Sequence, residues 1–179
     1  MNGKKLIPCI FISKGKAVKW FDNTEVLSED VVELAKTYFN TGADELIFLD
    51  LSKSDDDHEE AIDLLKKITR AVQIPVIAGG NIRRLEDVKK YLYAGAKKAI
   101  INMSRTSGPT LIEDAAKRFG QEKVAVSLND FDTLFKNCKD IECYTSEIVF
   151  MHRLDIPSVM DMTDLPCVIL TDAMDKNEL

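Results

Sequence analysis

Short apolar runs alternate along the chain with longer segments in which apolar residues recur every three or four positions. The short runs are continuously apolar, which is typical of strands that are buried on both faces of a parallel sheet. They cover residues 6–12, 45–51, 75–78, 99–102, 124–128, 148–151 and 167–170. The alternation predicts an α/β fold.

Four helices are predicted between the first five strands from their periodicity and end signals. The first begins at Ser28 as N-cap and ends at Gly42, and the fourth begins at Gly108-Pro109 and ends at Gly120. The second and third cover residues 56–72 and 84–94. After Leu128, the segments 130–139 and 155–162 predict helices of at most one or two turns.

An internal repeat narrows the choice of fold. The motif Tyr-x-x-x-Gly-Ala occurs at residues 38–43 and again at residues 91–96, and an apolar strand follows each copy. This spacing is that of two strand–helix units, and it favours a closed barrel over an open doubly wound sheet.

Residues 13–27 form a long connection between the first strand and the first helix. Loops at the carboxyl ends of parallel strands carry the chemistry of such folds, and long ones are often lids. We therefore expect this loop to be a lid, with a plain surface loop as the alternative.

The chain has 179 residues and a formal net charge of −6, which predicts one globular domain over residues 1–179. A complete eight-stranded barrel usually needs about 250 residues, so the length argues against one. The acidic balance gives no broad attraction to nucleic acid or to anionic membranes. Because the sequence shows neither a membrane span nor a signal peptide, we expect a cytoplasmic protein without nucleic-acid or membrane partners.

The cysteines and histidines do not indicate a metal. The four cysteines form no CxxC pair, and there are only two histidines, His58 and His152. We expect reduced thiols, no metal site and no cofactor.

Two strand ends carry residues that are suited to binding phosphate. Gly79, Gly80 and Asn81 end the third strand, where glycines let backbone N–H groups approach an anion. Asn102 and Ser104 end the fourth strand and could donate to a phosphate. A plain tight turn at the first position and a capped turn at the second are the alternatives.

Two further residues are candidates for catalysis. Asp50 ends the second strand, which is the usual position of an acid or base in barrels, although it could also cap its own loop. Lys19 is the innermost lysine of the long connection and could attract a phosphorylated substrate. The acidic run at residues 54–60 matches no calcium loop, and we interpret it as favourable charge at a helix N-terminus.

Several segments together resemble the cyclase subunit of imidazole glycerol phosphate synthase, a family of histidine biosynthesis. They are KLIPCI from residue 5, GKAVK from 15, GADELIFLD from 42, IPVIAGGNI from 74 and GAKKAIIN from 95. The resemblance covers residues 4–128 and fades over 129–179. It implies a TIM-type barrel, and together with the length it predicts an incomplete one with about seven parallel strands.

The resemblance also implies site residues. Family members split a phosphoribosyl substrate with ammonia from a glutaminase, using aspartates at the ends of strands one and five. Those positions are Phe11 and Asn129 here, and neither side chain can exchange protons at neutral pH. Lys19, Asp50 and Asn102 match the family pattern.

Other matches and departures concern the phosphate turn and the opposite end of the barrel. Asn81 replaces the third glycine of the family's phosphate turn. Lys5, Glu45 and Lys98 match three of the four charged residues that gate the family's ammonia passage. Lys97 stands in place of an aspartate of the glutaminase contact.

Three functions follow as hypotheses. The first is a catalytically inactive histidine-pathway barrel with a residual phosphate-binding or structural role. The second is an active cyclase or isomerase on a phosphoribosyl substrate, and the third is a scaffold that binds a phosphosugar without catalysis. The expected partners are a phosphorylated ribose-type ligand, a second copy of the chain, or a fused downstream domain. The fused domain is expected because the chain resembles the N-terminal region of proteins that combine phosphoribosyl-AMP cyclohydrolase and phosphoribosyl-ATP pyrophosphohydrolase.

Overall fold

The structure, a computed structural model, describes residues 5–152 and 156–171. The end of the chain from residue 172 lies outside the described residues, and so does the start of the predicted helix at 155–162. The chain divides into two compact units, Met1–Ala99 and Ile100–Leu179. The expectation of one domain over the whole chain stays a prediction.

The first unit is a mixed sheet with three helices. Its elements are β1 (Cys9–Ser13), β2 (Lys16–Trp20), β3 (Asn23–Ser28), α1 (Val31–Asn40), β4 (Leu46–Asp50), α2 (Asp55–Ala71), β5 (Val76–Gly79) and α3 (Leu85–Tyr93). Strands β1, β4 and β5 pair in parallel, while β2 and β3 form an antiparallel hairpin beside β1. The core consists of the continuously apolar strands and the inward helix faces.

The second unit continues the alternation of strands and helices. Strand β6 (Lys98–Asn102) begins in the first unit and ends in the second. The following elements are α4 (Gly108–Phe119), a 3-10 turn (Gln121–Lys123), β7 (Val124–Leu128), α5 (Phe131–Tyr144), β8 (Ile148–Phe150), α6 (Ile156–Met160) and β9 (Cys167–Ile169). Strands β7, β8 and β9 pair in parallel.

The predicted fold class is confirmed. All seven predicted strands are present in the described part of the chain as β1, β4, β5, β6, β7, β8 and β9. Each unit has parallel strand pairs with helices between successive strands, as in an α/β barrel of the TIM type. A complete barrel has eight such strands, so a barrel with these seven is incomplete.

The long connection is not a loop. Residues 16–20 and 23–28 form the β2–β3 hairpin, which pairs with β1 through Phe11 and Val18. The tight turn into it uses Lys14 and Gly15, whose φ angles are +50° and +70°. Two-residue turns between antiparallel strands require such positive φ values. Apolar residues in this segment form neither a long continuous run nor a regular alternation, so the sequence pattern did not predict its strands.

The predicted N-cap of α1 at Ser28 is wrong. Ser28 pairs with Ala17 as the last residue of β3, and Asp30 caps the helix by accepting a hydrogen bond from the N–H of Glu33 at 3.0 Å. Because β3 includes Ser28, the N-cap of the helix lies two residues later, at Asp30. The predicted end at Gly42 is confirmed, since it follows the C-cap Thr41 with a φ of +94°.

The helix after β7 is longer than predicted. Helix α5 has 14 residues, against the one or two turns expected for 130–139. Asp130 caps it by accepting from the N–H of Thr133 at 2.7 Å. Only Leu134 and Ile141 are buried, so the apolar stripe is too thin to show in the sequence.

The two faces of the sheet in the first unit carry different chemistry. Ile12 is the register partner of Asp50, and partners in a parallel pair point to the same face. Because Asp50 contacts α2 and α3, we call this side the helix face. Phe11 and its partner Leu49 point to the other side, which we call the opposite face.

Gly80 has no room for a side chain. Its φ is +94°, and an added Cβ would lie 2.0 Å from the carbonyl oxygen of Asp50. We expect Gly80→Ala to lower the free energy of unfolding by about 3 kcal/mol or more, because backbone must move in addition to the strained φ.

Gly42→Ala is the matched control. Gly42 has the same φ of +94° but nothing within 4 Å of an added Cβ, so only the conformational cost of about 1–2 kcal/mol is expected. Urea unfolding of both variants measures the difference. Equal losses would show that the contact with Asp50 is not as close as described.

Candidate functional site

Asp50 lies at the centre of a buried polar cluster. Its Oδ1 accepts hydrogen bonds from the N–H of Ser52 at 2.8 Å and from the Ser52 hydroxyl. Its Oδ2 lies 2.6 Å from His58 Nδ1, 3.3 Å from the Tyr91 hydroxyl and 3.4 Å from Asn81 Nδ2. An ionised carboxylate offers about four lone-pair sites, so the four donors of Ser52, His58 and Asn81 leave it little capacity for a further partner.

His58 connects α2 to this carboxylate. The residue is 8% exposed, and its Nδ1 faces an oxygen that can only accept, so we assign the hydrogen to Nδ1. Within the described residues, Nε2 is buried without a hydrogen-bond partner. Such a group costs about 1–3 kcal/mol. The contact with Asp50 must therefore offset that cost.

The predicted phosphate turn at the end of β5 is held by protein groups. The Tyr91 hydroxyl donates to the carbonyl of Gly80 at 2.6 Å and lies 3.2 Å from that of Gly79. Asn81, with a φ of +54°, donates from Nδ2 to the carbonyl of Ser52 at 2.6 Å. The turn is thereby tied to the end of β4.

Tyr91 keeps its proton in this position. Burial raises the pKa of its phenol well above the ordinary value, and the neighbouring Asp50 carboxylate raises it further. The hydroxyl therefore keeps its one hydrogen throughout the physiological pH range, and the short distance to the carbonyl of Gly80 identifies that carbonyl as the acceptor.

The start of α3 is occupied as well. The Asp87 carboxylate, 6% exposed, accepts from the N–H groups of Arg83 at 2.9 Å and Arg84 at 3.1 Å. These two amides belong to the helix N-terminus that follows the glycine turn. They are bonded inside the protein and are not offered to a phosphate.

The second predicted phosphate group lies at the end of β6. Asn102 is half-buried, and its Oδ1 accepts from the N–H of Ser104 at 2.9 Å, while Ser104 itself is exposed. This is the local side-chain turn that we considered as the alternative. Phosphate binding by either group stays a prediction.

Phe11 occupies one of the two positions where the resembled family has an acid. It is 2% exposed, and its ring centroid lies 5.1 Å from that of Trp20 and 6.3 Å from that of Phe21. Asn129, at the other position, is exposed between β7 and α5. Phe11 and Asp50 point to opposite faces of the sheet.

Lys19 lies on β2 rather than in a loop. Its Nζ is 2.8 Å from Oε1 of Glu25 across the hairpin, and its side chain is about half exposed. No contact between Lys19 and Asp50 is seen among the described residues. A catalytic role for either stays a prediction.

Two of the three predicted gate residues form an ion pair. Lys5 Nζ lies 2.6 Å from Oε1 of Glu45, which is 6% exposed. Lys98 is the half-buried first residue of β6. The pairing of Lys5 with Glu45 is equally expected of a stabilising contact and of a gate.

Sequence reasoning missed three members of the cluster, namely Ser52, His58 and Tyr91. Tyr91 belongs to the internal repeat, and that was the signal that could have identified it. His58 stands in the acidic run, whose residues Asp55, Asp56 and Asp57 lie in the first turn of α2, as the structural interpretation expected. Ser54 caps this helix by accepting from the N–H of Asp57 at 3.2 Å.

The described part of the chain contains no group of three or more His, Cys, Asp or Glu that could hold a metal ion. All four cysteines are free thiols. No helix there is long and apolar enough to span a membrane.

Tyr91→Phe tests how much the cluster contributes. Removing the hydroxyl leaves the buried carbonyl of Gly80 without its donor, so we expect the free energy of unfolding to fall by about 1–3 kcal/mol. Tyr93→Phe is the matched control, because Tyr93 is 76% exposed and the change should stay within about 0.5 kcal/mol. A Tyr91→Phe loss as small as the control would show that the hydroxyl bonds are not stabilising.

Comparison with known proteins agrees with this fold. The family model described as histidine biosynthesis protein matches residues 5–169. The imidazole glycerol phosphate synthase subunit HisF of Exiguobacterium sp. is 38% identical over 138 residues, which cover 76% of this chain and 53% of that protein. The HisF subunits of Streptococcus mutans and Azobacteroides pseudotrichonymphae are 36% and 38% identical over 130 residues, covering 72% of this chain and 52% of theirs.

The chain thus spans about half the length of the curated relatives it matches. The family model covers most of the chain, and the same strands and helices are present in the structure. The chain belongs to the histidine biosynthesis protein family, as the sequence motifs predicted.

Proposed function

We propose that this chain is a non-catalytic member of its family with a structural role. The observation that carries the proposal is Phe11, a buried apolar ring at a position where the resembled family has an acid/base group. Removing one such group typically lowers a rate about 10²–10⁴-fold. With Asn129 at the second position, both groups are replaced by side chains that do not exchange protons.

Asp50 does not supply the missing chemistry in this proposal. A general acid or base must reach the substrate within hydrogen-bond distance. The Asp50 carboxylate is 2% exposed, points to the helix face and already accepts from Ser52 and His58. This arrangement supports a role in holding the strand ends together and disfavours the active cyclase or isomerase.

Phosphate binding is also disfavoured by the internal bonding of the turns. The Asn81 side chain donates to the carbonyl of Ser52, the backbone N–H of Ser104 donates to Oδ1 of Asn102, and Asp87 accepts from the N–H groups of Arg83 and Arg84. A phosphosugar-binding scaffold would need these groups to be free for the ligand. The structural role is therefore preferred over a residual phosphate site.

The partner of a structural domain is a further proposal. The ion pair of Lys5 with Glu45 is kept, but Lys97 replaces the aspartate that the resembled family uses toward its glutaminase. We therefore favour self-association or a fused histidine-pathway domain over a glutaminase partner.

Complementation tests the absence of catalysis. A strain that lacks the cyclase subunit should not grow without histidine when it expresses this chain, because neither acid/base group is present. The HisF subunit of Streptococcus mutans is the positive control, and immunoblotting confirms that both proteins accumulate. Growth with this chain would overturn the proposal.

Calorimetry tests the phosphate hypothesis separately. We expect no saturable heat when inorganic phosphate or ribose 5-phosphate is added to millimolar concentration, since the turn groups are already bonded. Saturable binding that disappears in Asn81→Asp would support the phosphosugar scaffold instead, because a carboxylate at residue 81 repels phosphate.

A further inference from the structure

We propose that β3 is an interface strand, which pairs antiparallel with β3 of a second copy of this chain across a two-fold axis close to Val26. This pairing rests on the structural role proposed above, and it names the strand through which the chain self-associates. The free edge of the sheet, an apolar row that ends at this edge and the charges beside that row all favour a second copy as the occupant.

Strand β3 forms one edge of the sheet. It pairs with β2 on one side, and in the part of the chain that the structure describes no strand pairs with its other side. The backbone N–H and C=O groups on that side can therefore bond to an added strand. β3 has six residues and contains neither lysine nor proline, the two residues that most often protect such an edge.

A row of apolar side chains crosses the sheet and ends at this edge. Its members are register partners on β4, β1, β2 and β3, namely Leu49, Phe11, Val18 and Val26, so they point to the same face. The first three are 5%, 2% and 3% exposed, whereas Val26 is 45% exposed. The row is therefore open at Val26. An apolar residue on an added strand would extend it, because directly opposed side chains stabilise a sheet.

A second copy supplies that apolar residue without any other partner. When two β3 strands run antiparallel about a two-fold axis at Val26, the two Val26 side chains face each other. The apolar row of one copy then continues into the same row of the other. Both β3 edges are used in this contact, so the assembly closes at two copies.

The charges along β3 allow two copies to meet. Glu25 is the only charged residue of the strand, and its Oε1 lies 2.8 Å from Nζ of Lys19 in the same hairpin. About an axis at Val26, Glu25 faces Leu27 of the other copy, so like charges are not opposed. The formal net charge of −6 is therefore not concentrated at this edge.

Two bulges limit the pairing to a short stretch. Between the pairs that Ser28 and Val26 make with β2, β3 has one extra residue, and it has another between those of Val26 and Asn23. Bulges bend a strand and interrupt regular pairing, which protects an edge against open-ended growth. We therefore expect a small interface and a dissociation constant in the micromolar range.

Val26→Lys tests this interface in the full chain. The two lysines would face each other across the axis, and lysine on an edge strand opposes pairing, so we expect the dissociation constant to rise at least about tenfold. Sedimentation velocity over a dilution series that spans the micromolar range measures it. Phe135→Lys is the matched control, because Phe135 is 77% exposed on α5 and the change in charge is the same, so the dissociation constant should not change.

A wild-type dimer that Val26→Lys weakens and Phe135→Lys does not weaken supports the proposal. A wild-type monomer throughout the series overturns it, as does a dimer that Phe135→Lys weakens or Val26→Lys leaves intact, or an assembly of more than two copies. Circular dichroism confirms that each variant is folded. If Val26→Lys is unfolded, Val26→Thr decides the test, since it keeps the β-branched shape and should raise the dissociation constant at least about threefold. Because sedimentation and growth are measured separately, failure here leaves the proposed absence of catalysis standing.

Discussion

The first unit depends on one buried carboxylate that must be hydrogen-bonded. Removing Asp50 from water at the end of β4 would be very costly without partners, because a buried charge is stable only when donors replace its hydration. Those donors come from the loop after β4, from the start of α2, from the turn after β5 and from α3. Satisfying one side chain therefore fixes the relative positions of four segments.

The same constraint explains the sequence around the strand ends. Gly80 must lack a side chain because the turn passes directly over the Asp50 backbone. Tyr91 must reach that turn from α3, and burial with the adjacent carboxylate keeps its phenol protonated by raising its pKa. The carbonyl of Gly80 and the side chain of Asn81 are used here to bond this turn to α3 and to the end of β4.

The two faces of the sheet explain how a family fold can be kept without the family's acid/base groups. The polar cluster on the helix face stabilises the unit and is independent of the side chain at residue 11, which points the other way. An aromatic ring at that position is compatible with the fold because Trp20 and Phe21 pack against it. The polar cluster and the aromatic packing thus use alternate residues of the same strands, since side chains alternate between faces.

The sequence by itself determined the strand and helix order, the barrel class, the family and the cap at Gly42, because apolar periodicity and glycine at positive φ are local signals. Tertiary structure alone decided the hairpin at residues 16–28, the length of α5 and the partners of Asp50. A thin apolar stripe such as Leu134 with Ile141 gives almost no periodic signal, and the cap at Asp30 depends on how far β3 pairs. The Asp50 cluster joins residues 2 to 41 positions apart in sequence, so only the folded chain brings its donors to one carboxylate.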